Sequence, residues 1–305
     1  SHDLKTPLTL ILSPLQRLIQ QPQISNNDKE KLEVIYRNAN RMNYLINELL
    51  TFSKIEMKQM HISVRKGDIM HFLEELSHIF DIVAGEREID FIVSLEDTKE
   101  EVWFSPSKLE RILYNLLSNA FKYTQPGGYV RLSAKLIKEE KETMVQISVK
   151  DSGRGIPKDV QEQIFESYYQ VEKRDHREGF GLGLSLTRSL IHMHKGEIRV
   201  ESEVNKGSDF IVTLNVSEDA YAPDERSSEN ITTEEIQKYN QRIKETIELI
   251  PEKLTNKEKD SGRESIMIVE DNKEMNDYLA SIFGEKYDII RAYNGAEACK
   301  KIARQ

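Results

Sequence analysis

Three short stretches carry residue types suited to a charged phosphate ligand. In LERILYNLLSNAFKYT (residues 109–124), helical spacing puts Asn115, Asn119 and Lys122 at i, i+4 and i+7, on one face. Carboxamide oxygens ligate a hard cation without adding charge, and a lysine neutralises phosphate, so the stripe suits a magnesium triphosphate. Tyr123 adjoins Lys122 at the rim, while Ile112, Leu116, Leu117 and Ala120 can face a core. In DSGRGIP (151–157), Gly153 and Gly155 permit positive φ and close backbone approach. Asp151 just before them can accept a hydrogen bond from an exocyclic amine such as that of adenine. In EGFGLGLSL (178–186), Gly179, Gly181 and Gly183 stand immediately before a helix, whose first amides form an anion site. Taken singly, the amide stripe is equally well a solvated polar face, and both glycine patterns are common turns; a GxxxxGK[ST] loop is absent from the sequence.

A fourth stretch opens the chain: SHDLKTPLT (1–9), an imidazole at His2 beside the carboxylate of Asp3, with Pro7 one turn later. A lone His-Asp pair on a helix is commonly only a polar face.

The elements that must position these groups are legible as periodicity. Leu4, Leu8, Ile11, Leu15 and Leu18 alternate steps of four and three, a heptad-like seam. QPQISNND (21–28) breaks the helix at Pro22, with Asn27 or Asp28 as the expected cap. A second helix to about Glu56 repeats the rhythm at Leu32, Ile35, Ala39, Met42, Ile46 and Leu49. The apolar stripe of this helical hairpin is too wide for one partner, so two copies are expected to form a homodimeric four-helix bundle. Mixed α/β patterns follow. Residues 61–68, 89–95, 129–137, 143–150, 196–204 and 209–216 read as strands; 69–83, 107–123 and 184–194 read as helices. The expected result is a sheet with helices on one face, to about Val216. Residues 217–263 are polar, charged and poor in aromatics; they read as a linker with a helix in its middle. Residues 264–305 read strand, helix, strand, helix.

Bulk properties narrow the classes. With 305 residues there is room for two or three domains, and 38% hydrophobic with 31% charged residues suits a soluble protein. A net charge of −9 argues against a nucleic-acid-binding surface. The single Cys299 rules out an internal disulfide or a cysteine zinc site and fits a cytoplasmic compartment. No apolar run approaches the roughly 18 residues of a membrane span.

The order and spacing of the motifs turn weak signals into a strong one. Asn-rich helix, Asp-Gly turn, IFESYYQ, charged segment, glycine-rich helix start and KGSDF all fall within one α/β domain. In this the sequence resembles the histidine kinases. Residues 107–216 look like their ATP-binding domain, the Bergerat α+β sandwich shared with gyrase, and residues 1–57 look like their dimerisation and phosphotransfer helices. The resemblance implies that ATP phosphorylates His2, with Asp3 holding the other ring N–H and Thr6 positioned to aid dephosphorylation of a partner receiver. It implies that Asn115 and Asn119 ligate magnesium and phosphate, that Lys122 and Tyr123 contact the nucleotide, and that Asp151 reads adenine in a pocket shaped by Gly153 and Gly155. Phe165 would anchor a mobile lid over residues 167–180, and Gly181 and Gly183 would face the triphosphate. Two departures stand out: Phe180 between glycines, where a small residue is usual, and Asn205 where a glycine is common. His192 and His194 are expected to be packing or surface residues.

The last segment looks like the start of a doubly wound receiver domain, with Glu270 and Asp271 after an apolar strand matching its magnesium-binding acidic pair. A kinase with a receiver behind it is a hybrid sensor; such proteins can carry an upstream membrane-anchored sensor domain and a downstream DNA-binding domain, and the parent protein is expected to be a membrane-anchored bacterial sensor. The acceptor aspartate would lie beyond the last residue, so the acidic pair is expected to bind metal weakly or not at all. The alternative reading is a degenerate ATP-binding scaffold for dimerisation and relay; intact His2, Asn119, Lys122 and Asp151 favour the kinase.

Overall fold

The computed structural model describes residues 2–21, 24–57, 59–140, 142–169, 181–247, 265–271, 273–284 and 286–302; over 2–9 and at some other helical positions it describes the backbone alone. The described residues divide into two units, the first comprising those up to 247 and the second those from 265 to 302.

The first unit begins with the hairpin α1 (His2–Ile19) and α2 (Asn26–Glu56). The cap of α2 lies upstream of the expected Asn27 or Asp28. Ser25 is extended, and its Oγ accepts the Asp28 N–H at 3.2 Å while donating to the Asp28 carboxylate at 2.7 Å. A short hydroxyl just ahead of the helix reaches its third amide, the geometry of an N-cap. Of the seam residues, Ile11, Leu18, Ile35, Met42 and Leu49 remain exposed, Met42 by 56%.

The α/β part follows as β1 (Arg65–Asp68), α3 (Ile69–Ser77), α4 (Ile79–Arg87), β2 (Asp90–Leu95), β3 (Glu101–Phe104), α5 (Pro106–Tyr123), β4 (Tyr129–Lys138), β5 (Thr143–Asp151), α6 (Gly183–Met193), β6 (Glu197–Glu203), β7 (Gly207–Asn215) and α7 (Thr233–Ile247). Strands β2-β4-β5-β7-β6 form one sheet, antiparallel except for the β2–β4 pair. Along β4 and β5 every second residue is buried, among them Val130, Leu132, Val145, Ile147 and Val149, against Leu109, Ile112, Leu113, Leu116 and Leu117 of α5 and Leu186, Leu190 and Ile191 of α6. That alternation is what an antiparallel sheet with one covered face requires.

The strand expected over 61–68 does not join this sheet: β1 pairs with β3 in a separate antiparallel ribbon. The helix expected over 69–83 is broken near His78, where Ser77 Oγ donates to the Glu74 carbonyl at 2.7 Å and competes with the helical ladder. The stretch read as a linker is packed over its described part. Tyr221 is buried and donates to the Asn215 carbonyl at 2.5 Å; Val64 bridges Arg226; and Arg65 forms a two-point ion pair with Glu235 at 2.7 and 2.5 Å. Ile236, Tyr239 and Ile243 bury one stripe of α7, which lies against α3, α4, α5 and α2.

Helix α2 is docked on α5. Arg111 donates to Thr51 Oγ1 at 2.8 Å and sits 3.8 Å from Glu48, which also accepts the Tyr44 hydroxyl at 2.9 Å; the Tyr44 and Tyr114 rings meet edge-on. Burial raises the Glu48 carboxyl against the pull of Arg111 and Tyr44.

The second unit is a small parallel pair, β8 (Ser265–Val269) and β9 (Asp288–Ala292), with α8 (Lys273–Phe283) and α9 (Gly295–Ile302). Buried Asn276 donates to the carbonyls of Glu270 and Ala292, both at 3.1 Å, and so ties the ends of the two strands.

Candidate nucleotide site

The expected site residues of the α/β part converge at one end of the sheet. The end of α5 is held firmly: Thr124 Oγ1 donates to the Ala120 carbonyl at 2.8 Å, and Arg87 donates to that of Phe121 at 3.0 Å. This fixes the last turn, which carries Asn119, Lys122 and Tyr123, all three partly exposed. One turn earlier, Asn115 is buried between α5 and α6; its Nδ2 donates to Thr187 Oγ1 at 2.7 Å.

Asp151 ends β5, opposite Ser208 of β7. It is 5% exposed, and its Oδ1 accepts the Gly153 N–H at 2.7 Å. Burial raises its carboxyl to about 6, against hydrogen bonds from Gly153 and Ser208, which favour the ionised form. Glycine is required around it. A Cβ on Gly153 would come within 2.6 Å of the Tyr123 carbonyl oxygen, and one on Gly155, at φ +68°, within 2.0 Å of that of Glu203. Asn205, at φ +64°, occupies the left-handed region that glycine usually fills and that asparagine tolerates; its N–H donates to the Arg154 carbonyl at 2.7 Å.

Phe165 is buried edge-on against Phe210, with the Arg188 guanidinium 5.9 Å from its ring. The lid residues 170–180, with Gly179 and Phe180, lie outside the described residues. At the near edge of that segment Tyr168, at φ +66°, donates to the Gly181 carbonyl at 2.9 Å, and its ring meets Phe52 of α2. Gly181 has φ +68°, and a Cβ there would strike the Tyr169 carbonyl oxygen at 2.7 Å. Gly183 opens α6, whose N-cap Leu182 supplies no side-chain hydrogen bond to the first-turn amides.

The donor set fits a magnesium nucleotide. A buried carboxylate acceptor, a helix start whose N-cap Leu182 gives no side-chain hydrogen bond, side-chain amides and a rim lysine are grouped, and the glycines let backbone and side chains pack where a Cβ would strike them. Sequence reasoning missed three members. Arg154 lies 4.7 Å over the Tyr123 ring, on the same ring that Lys122 approaches at 5.3 Å. Ser208 bonds Asp151, and Thr187 bonds Asn115. Arg154 and Ser208 were visible inside quoted motifs; Thr187 had only its place one turn after Gly183. A groove of about 580 Å³ around Arg65, Glu235 and Tyr239 includes none of these residues.

Residues 1–58 match the His Kinase A (phospho-acceptor) domain, and residues 104–218 match the histidine kinase-, DNA gyrase B- and HSP90-like ATPase. The chain carries both modules of a histidine kinase. Histidine kinase P4 of Formosa agariphila is 33% identical over 98% of this chain and 22% of that protein; sensor histidine kinase TmoS of Ectopseudomonas mendocina is 32% identical over 98% and 30%. Sensor histidine kinase WalK of Bacillus subtilis is 33% identical over 72% and 36%. The chain thus spans less than two-fifths of the length of each. The crystal structure of full-length ShkA in complex with AMPPNP shares the fold at a TM-score of 0.60, 20% identical, over 98% of this chain and 55% of that one.

In this kinase chain α1 places the backbone of His2 and Asp3 in its first turn, with Thr6 in the next; their side chains lie outside the described residues. Glu270 and Asp271 belong to the second unit, at the end of β8, where Glu270 N–H donates to the Ala292 carbonyl at 3.1 Å. No described helix is long and apolar enough to cross a membrane.

His194 is structural, as its sequence context suggests. It is fully buried, accepts the Ser105 N–H at Nε2 (3.1 Å) and donates from Nδ1 to the Leu190 carbonyl (2.9 Å). Burial holds it neutral, down to about 4. The unfolded chain therefore takes up a proton that the folded one refuses, and stability on the order of 3 kcal/mol is lost as pH falls from about 6.5 to 4. Asp151, raised to about 6, acts in the opposite direction over part of that range. The His194 share is read as the difference between the parent and His194→Gln: the thermal midpoint of the variant should fall less steeply with acid.

Proposed function

We propose that this chain is the catalytic part of an ATP-dependent protein-histidine autokinase, with His2 as phosphoacceptor. The observation that carries the reading is the buried Asp151 carboxylate, walled by Gly153 and Gly155, in the same α/β fold as the start of α6. An amine acceptor and an anion site at the end of one sheet suit the two ends of ATP.

A neutral imidazole nitrogen of His2 attacks the γ-phosphorus; the N–P bond forms as the bond to the β-γ bridging oxygen breaks, and ADP leaves. Asp3 holds the other ring N–H and stabilises the developing cation. Lys122 and the first amides of α6 offset the phosphate charge, and Asp151 orients the base. Asn115 and Asn119 would hold the magnesium ion, which supplies charge neutralisation at the phosphates. Pro7 cannot donate to the Asp3 carbonyl, which loosens the turn that carries His2. A nucleotide titration beside a phosphorylation assay separates this reading from a scaffold: binding without labelling would favour the scaffold.

The second unit supports a hybrid architecture, since its parallel β-α-β-α order and the acidic pair Glu270–Asp271 suit the opening of a receiver. Phosphate would pass to a receiver aspartate, and Thr6 keeps receiver dephosphorylation open as an added activity. The parent protein is read as a membrane-anchored bacterial sensor with a cytoplasmic kinase portion.

The exposed stripe of Ile11, Ile35, Met42 and Leu49 supports homodimerisation through the hairpins. Met42→Glu puts a charge in that seam and should weaken the dimer by at least about tenfold. Light scattering coupled to gel filtration reads this out; a variant as dimeric as the parent would place the interface elsewhere.

A further inference from the structure

The two ends of the Asn115 carboxamide have different surroundings. Its Nδ2 donates to Thr187 Oγ1 at 2.7 Å, and Thr187 is 1% exposed. Its Oδ1 lies against the first residue of α6, where a Cβ on Gly183 would approach it to 2.6 Å. The amide nitrogen donates to the Thr187 hydroxyl, which leaves the oxygen as the end nearest the start of α6. Asn115 is itself 8% exposed, so water gives little competing help at the nitrogen. The glycine and the threonine stand one helical turn apart on α6 and grip the same side chain from two points.

We infer that Thr187 is a positioning residue of the nucleotide site: it turns the Asn115 oxygen toward the metal and phosphate end. The inference rests on the reading of Asn115 as a ligand of the magnesium nucleotide. Without the hydroxyl, the buried Nδ2 loses that acceptor, the amide rotates, and its oxygen leaves the orientation that a hard cation needs. The effect is one of orientation, since Thr187 touches neither metal nor substrate.

The test is a magnesium titration of AMPPNP binding, followed by calorimetry, on the full 305-residue chain and two variants. Thr187→Val keeps the shape and removes the acceptor; Thr187→Ser keeps the acceptor. Loss of a partner that orients a ligand typically weakens metal binding by at least about tenfold. Thr187→Val should therefore raise the magnesium concentration at half-saturation about tenfold, with affinity for metal-free AMPPNP changed less than about twofold. Thr187→Ser should restore the parent value. A purely structural role would lower the melting midpoint and leave the magnesium half-point in place. A folded Thr187→Val protein with an unchanged half-point, or equal shifts in both variants, overturns the inference. Should Thr187→Val fail to fold, Thr187→Cys, of similar size and with a weaker acceptor, supplies the same readout. A parent chain that binds no AMPPNP at any magnesium level removes the underlying reading instead.

Discussion

A His2→Gln protein is expected to bind nucleotide as the parent does, within about twofold, and to take up no phosphate from labelled ATP. The loss should be at least about a thousandfold, the scale on which removal of a nucleophile acts. The reason lies in the separation of the parts. His2 belongs to the first turn of α1, whereas the residues grouped for nucleotide binding come from α5, β5, α6 and the turn after β5. None of the other histidines with a described environment has the neighbours of His2. His194 has both ring nitrogens engaged and is fully buried; His71 and His78 sit on exposed helix surface beside Glu74 and Asp81. Gel-resolved labelling beside a calorimetric binding curve checks both halves. Labelling of His2→Gln above background would remove His2 from its role.

Asp151 is expected to give the largest effect on binding. Asp151→Ala removes the buried carboxylate at the end of β5 and should weaken ATP binding by about ten- to a hundredfold, the range of a lost hydrogen bond to a charged group. Asp151→Asn should lose less. Its oxygen can keep the Gly153 N–H, now 2.7 Å from Oδ1, but its other end is a donor that meets the amine of the base. The same carboxylate sets a pH dependence. Burial raises Asp151 to about 6, and an amine donor favours the ionised form, so the protonated acid competes with ATP below that value. Affinity should fall by up to about tenfold per pH unit as pH drops through 6. Because the phosphates of ATP also titrate in this region, the slope of the parent is compared with that of Asp151→Asn, which should be flatter. GTP carries a carbonyl where adenine carries its amine and should bind the parent more weakly. Equal binding of ATP and GTP would remove the adenine role of Asp151.

Most of the site was legible because its chemistry is local. Asn115, Asn119 and Lys122 need only a helical period, and α5 spans Pro106–Tyr123 where 107–123 was read. The glycines announce their close contacts by being glycines, and Gly155 and Gly181 do take positive φ. What escaped the sequence depends on partners far along the chain. Thr187 meets Asn115 across 72 positions, and Ser208 meets Asp151 only because β7 lies beside β5. The ribbon of β1 and β3 is too short to show alternation, four residues on each side. Helix α7 had a readable period, but nothing local said that Tyr239 and Ile243 would be covered by α3, α4 and α5, or that Arg65 would pair with Glu235. A segment rich in charge reads as solvated until its one apolar stripe is seen against a neighbour.

The central claim, that ATP phosphorylates a histidine of this chain, is tested most directly by the chemistry of the label itself. The protein is incubated with magnesium and γ-labelled ATP, freed of nucleotide, and split into portions held in acid, at neutral pH and in alkali, with the labelled peptide then identified. The account predicts a phosphoramidate: label lost in acid, retained in alkali, and carried on the peptide that contains His2. Label that survives acid, label lost in alkali as an acyl phosphate would be, or label on a peptide without His2 would contradict it.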